Sequence, residues 1–293
     1  MNHSGCQTPR LDWKLLAMCQ LLGMNCATPT DITFSFAGFA ARGGDTDHHA
    51  DGFGIAFYEN RGSRCFLDNA PCCQSPVAEL IKHYPIKSRN VIAHIRKATQ
   101  GALELENCHP FVRELWGRHW LFAHNGDLKH FDPALRGDHL PLGQTDSERA
   151  FCTMMEGLRA RFGAHEPDDE DLFAAVADMT ADLTQHGVFN FLMSNGRCLL
   201  AHCSTRLYYI VRAWPFQVAH LVDTDMTVDF SQTNVRGDCV SVIATKPLTD
   251  NETWTAFQPG ELTMFVDGQP RSSRIIEIPE AVRLSNQANL ACV

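Results

Sequence analysis

The stretch Met18-Cys19-Gln20-Leu21-Leu22-Gly23-Met24 sets a cysteine directly after a methionine, at the head of a short apolar run. A run of this length reads as a short buried strand from Cys19 to Met24. A cysteine in such a place is ordinarily a core thiol. Its chemistry changes if Met18 begins the chain and is trimmed away. Cys19 would then carry a thiol and a free α-amine, a nucleophile and a base on one residue. The polar, irregular segment Met1 to Ala17 stands in front of it. Arg10 and Lys14 followed by Leu15-Leu16-Ala17 imitate a signal peptide only weakly, because the apolar core is short, is broken by Gln20 and lacks a clean cleavage site.

Outward from this stretch, Thr28-Pro29-Thr30-Asp31 has the marks of a helix start: a capping hydroxyl, a proline at the first helical position and an acid in the first turn. The helix that follows places Ile32, Phe36, Phe39 and Ala40 on one face and stops at Gly43-Gly44. Gly54 to Glu59 and Arg64 to Leu67 read as strands joined by a turn. A short helix is expected at Pro76 to His83, and strands at Val91 to Ile95 and Trp120 to Ala123, the latter ending at His124-Asn125-Gly126. Thr145-Asp146-Ser147-Glu148 is a capping box ahead of the stripe Phe151, Met154, Met155, Leu158 and Phe162. A second amphipathic helix spans Asp168 to Gln185. From Val188 onward the pattern is mostly β, with a hairpin turn at Asn195-Gly196 and strands at Asp238 to Ala244 and Leu262 to Val266. Strands at both ends with helices between, without regular βαβ alternation, predict an α+β fold with antiparallel sheets. One domain from residue 18 to 270 is expected, with a loose tail from 271 to 293.

The composition excludes several classes. Across 293 residues the formal net charge is −9, and no Lys/Arg run, low-complexity tract or repeat is present, which argues against a nucleic-acid binder. No apolar stretch is long enough to cross a bilayer. The twelve cysteines follow neither a disulfide framework nor zinc spacing, and read as thiols of a reducing cytoplasm. His48-His49 reads as a solvated loop pair rather than a metal site. No metal or cofactor is expected.

Five polar spots fall at ends of the expected elements, where scaffolds present functional groups. They are Cys19; Asp51-Gly52-Phe53-Gly54; Arg96-Lys97-Ala98-Thr99-Gln100-Gly101; His124-Asn125-Gly126-Asp127; and Thr145-Asp146-Ser147-Glu148. Each has a structural explanation alone: a turn, a hairpin, a surface charge or a helix cap. In this order they resemble the glutaminase domain of the class II glutamine amidotransferases, which are N-terminal-nucleophile hydrolases. The resemblance runs from about Met18 to Pro270 and takes in Asn107-Cys108-His109-Pro110-Phe111, Ile243-Ala244-Thr245-Lys246-Pro247-Leu248, Trp254 and Pro259-Gly260-Glu261. In detail it is similar to the stand-alone bacterial YafJ-like group, which opens Met-Cys-x-Leu-Leu-Gly-Met, and more loosely to amidotransferase-like subunits that cleave γ-glutamyl bonds in thiol metabolism.

The resemblance implies a four-layer αββα sandwich and a set of roles. Cys19 would attack a γ-glutamyl amide with its own α-amine as base. Asn125 and the Gly126 N–H would hold the oxyanion. Arg96 would clamp the substrate α-carboxylate, Thr99 would add a hydrogen bond beside it, and Asp146 would receive the α-ammonium. Asp51 and Gly52 would shape the pocket floor. The substrate would be glutamine or a small γ-glutamyl compound, and a separate ammonia-accepting or peptidase protein is the implied partner. Lys97 and Gln100 depart from the Trp and His usual in synthase-linked members. The mechanism needs Met1 to Ala17 gone, through a mis-set start at Met18 or removal as a propeptide, and the first is expected. The other class of reading is a non-catalytic module that keeps the pocket and senses glutamine.

Overall fold

The computed structural model describes residues 19–47, 49–97 and 102–283. In chain order the elements are β1 (Gln20–Thr30), α1 (Thr33–Ala41), β2 (Phe53–Glu59), β3 (Gly62–Asp68), α2 (Pro76–His83), β4 (Ser88–Ile95), β5 (Phe111–Leu115) and β6 (Arg118–Leu128). Helices α3 (Asp146–Phe162) and α4 (Asp169–Leu183) follow. The remaining strands are β7 (Gly187–Ser194), β8 (Cys198–Cys203), β9 (Tyr208–Ala213), β10 (Val218–His220), β11 (Thr227–Asp229), β12 (Cys239–Ala244), β13 (Thr255–Ala256), β14 (Glu261–Val266) and β15 (Gln269–Ile275).

Alternation along the strands sorts side chains into three cores. On β1, Leu22 and Met24 join Phe36 and Phe39 of α1 and Ile81 of α2, while Leu21 faces the other way. There it meets Leu121, Ala123, Leu192, Leu199 and Phe265 of a second sheet. The outer face of that sheet, through Phe122, Phe189 and Met193, packs on Phe151, Met155 and Leu158 of α3 and Leu172 and Val176 of α4. The layers are therefore helices, sheet, sheet, helices: the αββα sandwich. One sheet runs β13-β9-β12-β1-β4-β2-β3 and the other β15-β14-β8-β7-β6-β5. Every pairing between named strands is antiparallel. Strand β1 lies at the middle of its sheet, paired with β4 on one side and β12 on the other.

Four expectations are corrected. The helix start at Thr28 is strand: β1 runs to Thr30, Pro29 falls in a register shift between Asn25 and Thr30 where no ladder N–H is required, and α1 begins at Thr33 without a side-chain cap. Strand β6 does not end at His124 but continues to Leu128, with Asn125 opposite Asn190 and Gly126 opposite Phe189 of β7. The tail expected from 271 is structured over its described residues, 271–283, since β15 pairs with β14 from Glu261↔Ile275 to Val266↔Gln269, and Ile276, Ile278 and Val282 are buried beyond it; 284–293 lie outside the described residues. Its residues Gln-Pro-Arg-Ser-Ser-Arg-Ile are nearly all exposed, as suits the edge of a sheet, so hydropathy gives no strand signal there. His49 is buried beside Asp47, 3.3 Å away, rather than solvated; His48 lies outside the described residues.

Candidate active site

The first described residue is Cys19, half-buried at the head of β1. The backbone of Lys97, just past the end of β4, brackets its sulfur: the Lys97 N–H donates to Sγ at 3.1 Å and the thiol donates to the Lys97 carbonyl at 3.2 Å. Burial pushes the thiol up to about 11, against the Lys97 backbone and the Arg96 charge, which pull it down; Asp51 pushes it further up. At that value about one molecule in ten thousand carries a thiolate at pH 7, so the sulfur needs a base to react.

Arg96 and Asp51-Gly52 are laddered together. The Arg96 N–H donates to Gly52 O at 2.8 Å, and the Asp51 N–H donates to Arg96 O at 3.2 Å. The Arg96 side chain is buried, with Nη1 donating to the Ala102 carbonyl at 3.0 Å. Gly52 sits at φ +108°, and a Cβ there would press on Asp68 O and Cys108 Sγ, each 3.0 Å away, so glycine alone suits this turn. Asn107 Nδ2 donates to the same Ala102 carbonyl at 3.2 Å, and its Oδ1 accepts from the Gln144 N–H at 3.0 Å. This ties Arg96 and Ala102 to the approach to α3.

From the other sheet comes Asn125, 1% exposed, whose Nδ2 donates to the carbonyl oxygen of Cys19 itself. Asn190 opposite fixes that stretch of β6. Its Nδ2 donates to Asn125 O at 2.9 Å and to Thr205 Oγ1 at 2.8 Å, while its Oδ1 accepts from the Ser204 and Thr205 N–H groups, both at 2.9 Å. Phe189 uses both backbone groups on the far side of β7: its N–H donates to Ser204 Oγ at 2.8 Å and its carbonyl accepts from His202 Nδ1 at 2.5 Å. Its pairing with Gly126 is thus the non-hydrogen-bonded kind, and the Gly126 N–H points away from β7. On that side β5 has already ended, at Phe111 opposite Phe122. Two residues on, the Leu128 N–H points the same way and is taken by Asp146 Oδ2 at 2.7 Å. A side chain at Gly126 would run into the Val188 carbonyl and the His124 ring.

Asp146 opens α3 and is buried. Thr145 caps the helix, its hydroxyl accepting from the Glu148 N–H at 3.2 Å. Glu148 does not return to the cap residue as a capping box would have it. It accepts from Leu142 N at 3.0 Å and Gly143 N at 2.7 Å, and pairs with Arg113 at 2.6 Å. Ser147, also buried, bonds His124 Nδ1 at 2.8 Å, and His124 Nε2 lies 3.1 Å from Val188 O.

The structure thus places Cys19 beside Arg96, Asp51 and Asn125, and joins Asp146 to β6 two residues beyond Gly126. Thr99 lies outside the described residues. Asn190 had no sequence signal as a site residue beyond its polarity, and Ser147 and Thr245 stood in the quoted motifs without a role. Thr245 accepts from the Leu21 N–H at 2.9 Å and returns its own N–H to Leu21 O at 3.1 Å, holding the head of β1. A lone asparagine in the apolar run Val188 to Ser194 was the one available signal, because a buried amide must find partners. Among the described residues no cluster of three or more His, Cys, Asp or Glu could hold a metal. A cavity of about 920 Å³ opens near the far end of β1, around Thr28, Phe34, Phe230 and Val240, and none of the candidate residues lines it.

Comparison with known proteins gives a consistent result. The family model for class-II glutamine amidotransferases matches residues 18–288. A Haemophilus influenzae protein named "putative glutamine amidotransferase" is 51% identical over 282 residues, covering 96% of this chain and 94% of its own. The Escherichia coli protein "putative glutamine amidotransferase YafJ" is 49% identical over 252 residues, 86% of this chain and 99% of its own. The crystal structure of a "predicted glutamine amidotransferase" from Pseudomonas aeruginosa superposes with a TM-score of 0.70 at 42% identity, covering 87% of this chain and all of that one.

Proposed function

The chain belongs to the class-II glutamine amidotransferases, and from that premise we propose that it hydrolyses a γ-glutamyl amide through a thioester on Cys19. One observation carries the reading: the Asn125 amide donates to the carbonyl of Cys19, so a strong donor from one sheet rests on the nucleophilic residue of the other. Nδ2 has a second N–H for an oxyanion.

In this reading the Cys19 α-amine, freed by removal of what precedes it, takes the thiol proton as sulfur attacks the amide carbon. An α-amine near pKa 8 is partly neutral at physiological pH and suits the task. The carbonyl π electrons move to oxygen, which is held by Asn125 Nδ2–H and the Gly126 N–H off the open edge of β6. Such a donor contributes roughly 3 kcal/mol to the transition state. Collapse breaks the C–N bond, and the leaving nitrogen takes the proton from the α-ammonium. Water then attacks the thioester, the α-amine again accepts a proton, and the collapse releases glutamate and the thiol. Arg96 holds the substrate α-carboxylate with Thr99 beside it, and the Asp146 oxygen not given to Leu128 receives the α-ammonium. Those two charges select a free amino-acid head, which glutamine and small γ-glutamyl compounds share. Asp51-Gly52 forms the floor below. The released ammonia or amine leaves free or to a separate acceptor protein. The compartment in this reading is the cytoplasm, supported by the absence of a disulfide among the ten described cysteines.

Protein initiated at Met18, so that trimming leaves Cys19 first, is expected to release glutamate from glutamine or a small γ-glutamyl amide, and its Cys19→Ala variant none. An intact mass identifies the first residue. Folded protein with a free Cys19 amine that cleaves no γ-glutamyl compound overturns the reading. Calorimetric glutamine binding without turnover would point instead to a sensing module.

A further inference from the structure

Three polar residues open α3, and all three are buried: Asp146, Ser147 and Glu148. Helix N-termini normally face water, so burial here means that the start of α3 is docked on something polar. Asp146 and Ser147 both dock on β6, on either side of Gly126. Asp146 Oδ2 takes the Leu128 N–H at 2.7 Å, and Ser147 Oγ meets His124 Nδ1 at 2.8 Å. Asp146 takes up the flank that β5 leaves open at Leu128, and the Gly126 N–H faces the same flank two residues before it.

The hydrogens in this clasp can be assigned. Val188 O can only accept, so His124 Nε2 carries the hydrogen across the 3.1 Å contact. In the neutral ring Nδ1 is then the acceptor and the Ser147 hydroxyl donates. Burial keeps His124 below its ordinary value, with the nearby Asp146 and Asp127 charges acting the other way, so the ring is neutral at physiological pH. Phe122 and Phe189 flank the ring, with centroids 6.5 and 5.0 Å from it. The same ring occupies the space that a side chain at Gly126 would need.

We propose that His124 is a positioning residue which, through Ser147, clamps the head of α3 to β6, so that the oxyanion donors at Asn125 and Gly126 and the Asp146 carboxylate are held as one unit. This rests on the reading of the site as an amide hydrolase, and deepens it. His124 touches neither substrate nor nucleophile. It sets the spacing between the place where the substrate's amino-acid head is held and the place where charge develops on its amide.

A double-mutant cycle on the glutamine-hydrolysing protein tests this. Ser147→Ala removes one half of the clasp and leaves the catalytic groups in place. It is expected to lower kcat about tenfold, the worth of one buried hydrogen bond. In an Asn125→Ala background the same change is expected to lower kcat by a smaller factor, about threefold, because one of the groups it positions is gone. Ser147→Thr, which keeps the hydroxyl, is expected to restore most of the rate. Equal losses in both backgrounds would mean a general structural role and overturn the proposal. The ring is read separately by 15N NMR of the full-length chain, where His124 is expected as the neutral Nε2–H tautomer at pH 7. The Nδ1–H tautomer or a charged ring overturns the proposal whether or not glutamine is hydrolysed. Absence of hydrolysis with the expected tautomer counts against the amide-hydrolase reading alone.

Discussion

At the scale of single residues, the two functional assignments that depend most on exact placement are Cys19 and Gly126. A thiol at about 11 with a blocked amine has to react through its small thiolate fraction. In the full-length chain, alkylation of Cys19 by iodoacetamide, followed by mass spectrometry, is expected to be slow at pH 7 and to rise about tenfold per pH unit up to about 10. A rate already at its plateau by pH 8 would refute the raised value. Gly126→Ala drives a methyl into the Val188 carbonyl and the His124 ring. It is expected to abolish hydrolysis and to cost about 2 kcal/mol of stability or more, read by urea denaturation. These residues were legible in the sequence because their chemistry is unusual where they stand. The roles of Asn190, Ser147 and His124 were not, although the last two stand in the quoted motifs. Each works only through a partner at least fourteen positions away, and spacing along the chain carries no trace of that contact.

Among the elements, α3 shows how local signals and tertiary contacts divide the work. Its start was readable from the Thr145 cap, and the cap is there. The sequence could not say that Glu148, 1% exposed, would leave the capping box to gather Leu142 N, Gly143 N and Arg113. Glu148→Ala strands two backbone donors and a guanidinium, and is expected to lower stability by about 3 kcal/mol, well beyond the ~1 kcal/mol of losing a cap residue. A urea midpoint shifted by no more than a cap loss would contradict this. The opposite failure occurred at Thr28-Pro29-Thr30-Asp31. Those residues carry good helix-start chemistry, but pairing with β4 extends β1 through them to Thr30, and Asp31 stands one residue before the N-cap position, where its Oδ1 accepts from the Thr33 N–H at 3.2 Å. Strand β15 was missed for the reverse reason, since an exposed edge needs no apolar pattern.

For the whole molecule, burial of neutral imidazoles makes stability depend on pH. His94 is pushed down to about 3 and His202 to about 4, in both cases mainly by burial; His109, whose ring centroid lies 4.2 Å from that of His94 at a tilt of 51°, is lowered by burial and then by the repulsion it would meet from a protonated His94. In the unfolded chain each titrates near 6.5. Below that value the unfolded state binds protons that the folded state refuses, so stability falls as pH drops from about 6.5 toward 3 to 4. Each group contributes up to about 1.4 kcal/mol per pH unit. Urea denaturation at pH 7.5 and pH 5 is expected to show a clear loss at the lower value, and equal midpoints would contradict it. The α+β class with antiparallel sheets was readable from the order of elements, and the four layers only from the family resemblance. The strand order was not, because nothing in β1 announces that its neighbours will be β4 and β12. That central position has a kinetic consequence. Amides from Leu21 to Asn25 are walled in by a strand on each side, so they exchange with deuterium only when the entire molecule opens. Exchange along this strand is therefore expected to act as a clock for global unfolding, slower than at β15 or the β10–β11 ribbon. The geometry around the reactive sulfur then persists through the local openings that the periphery undergoes.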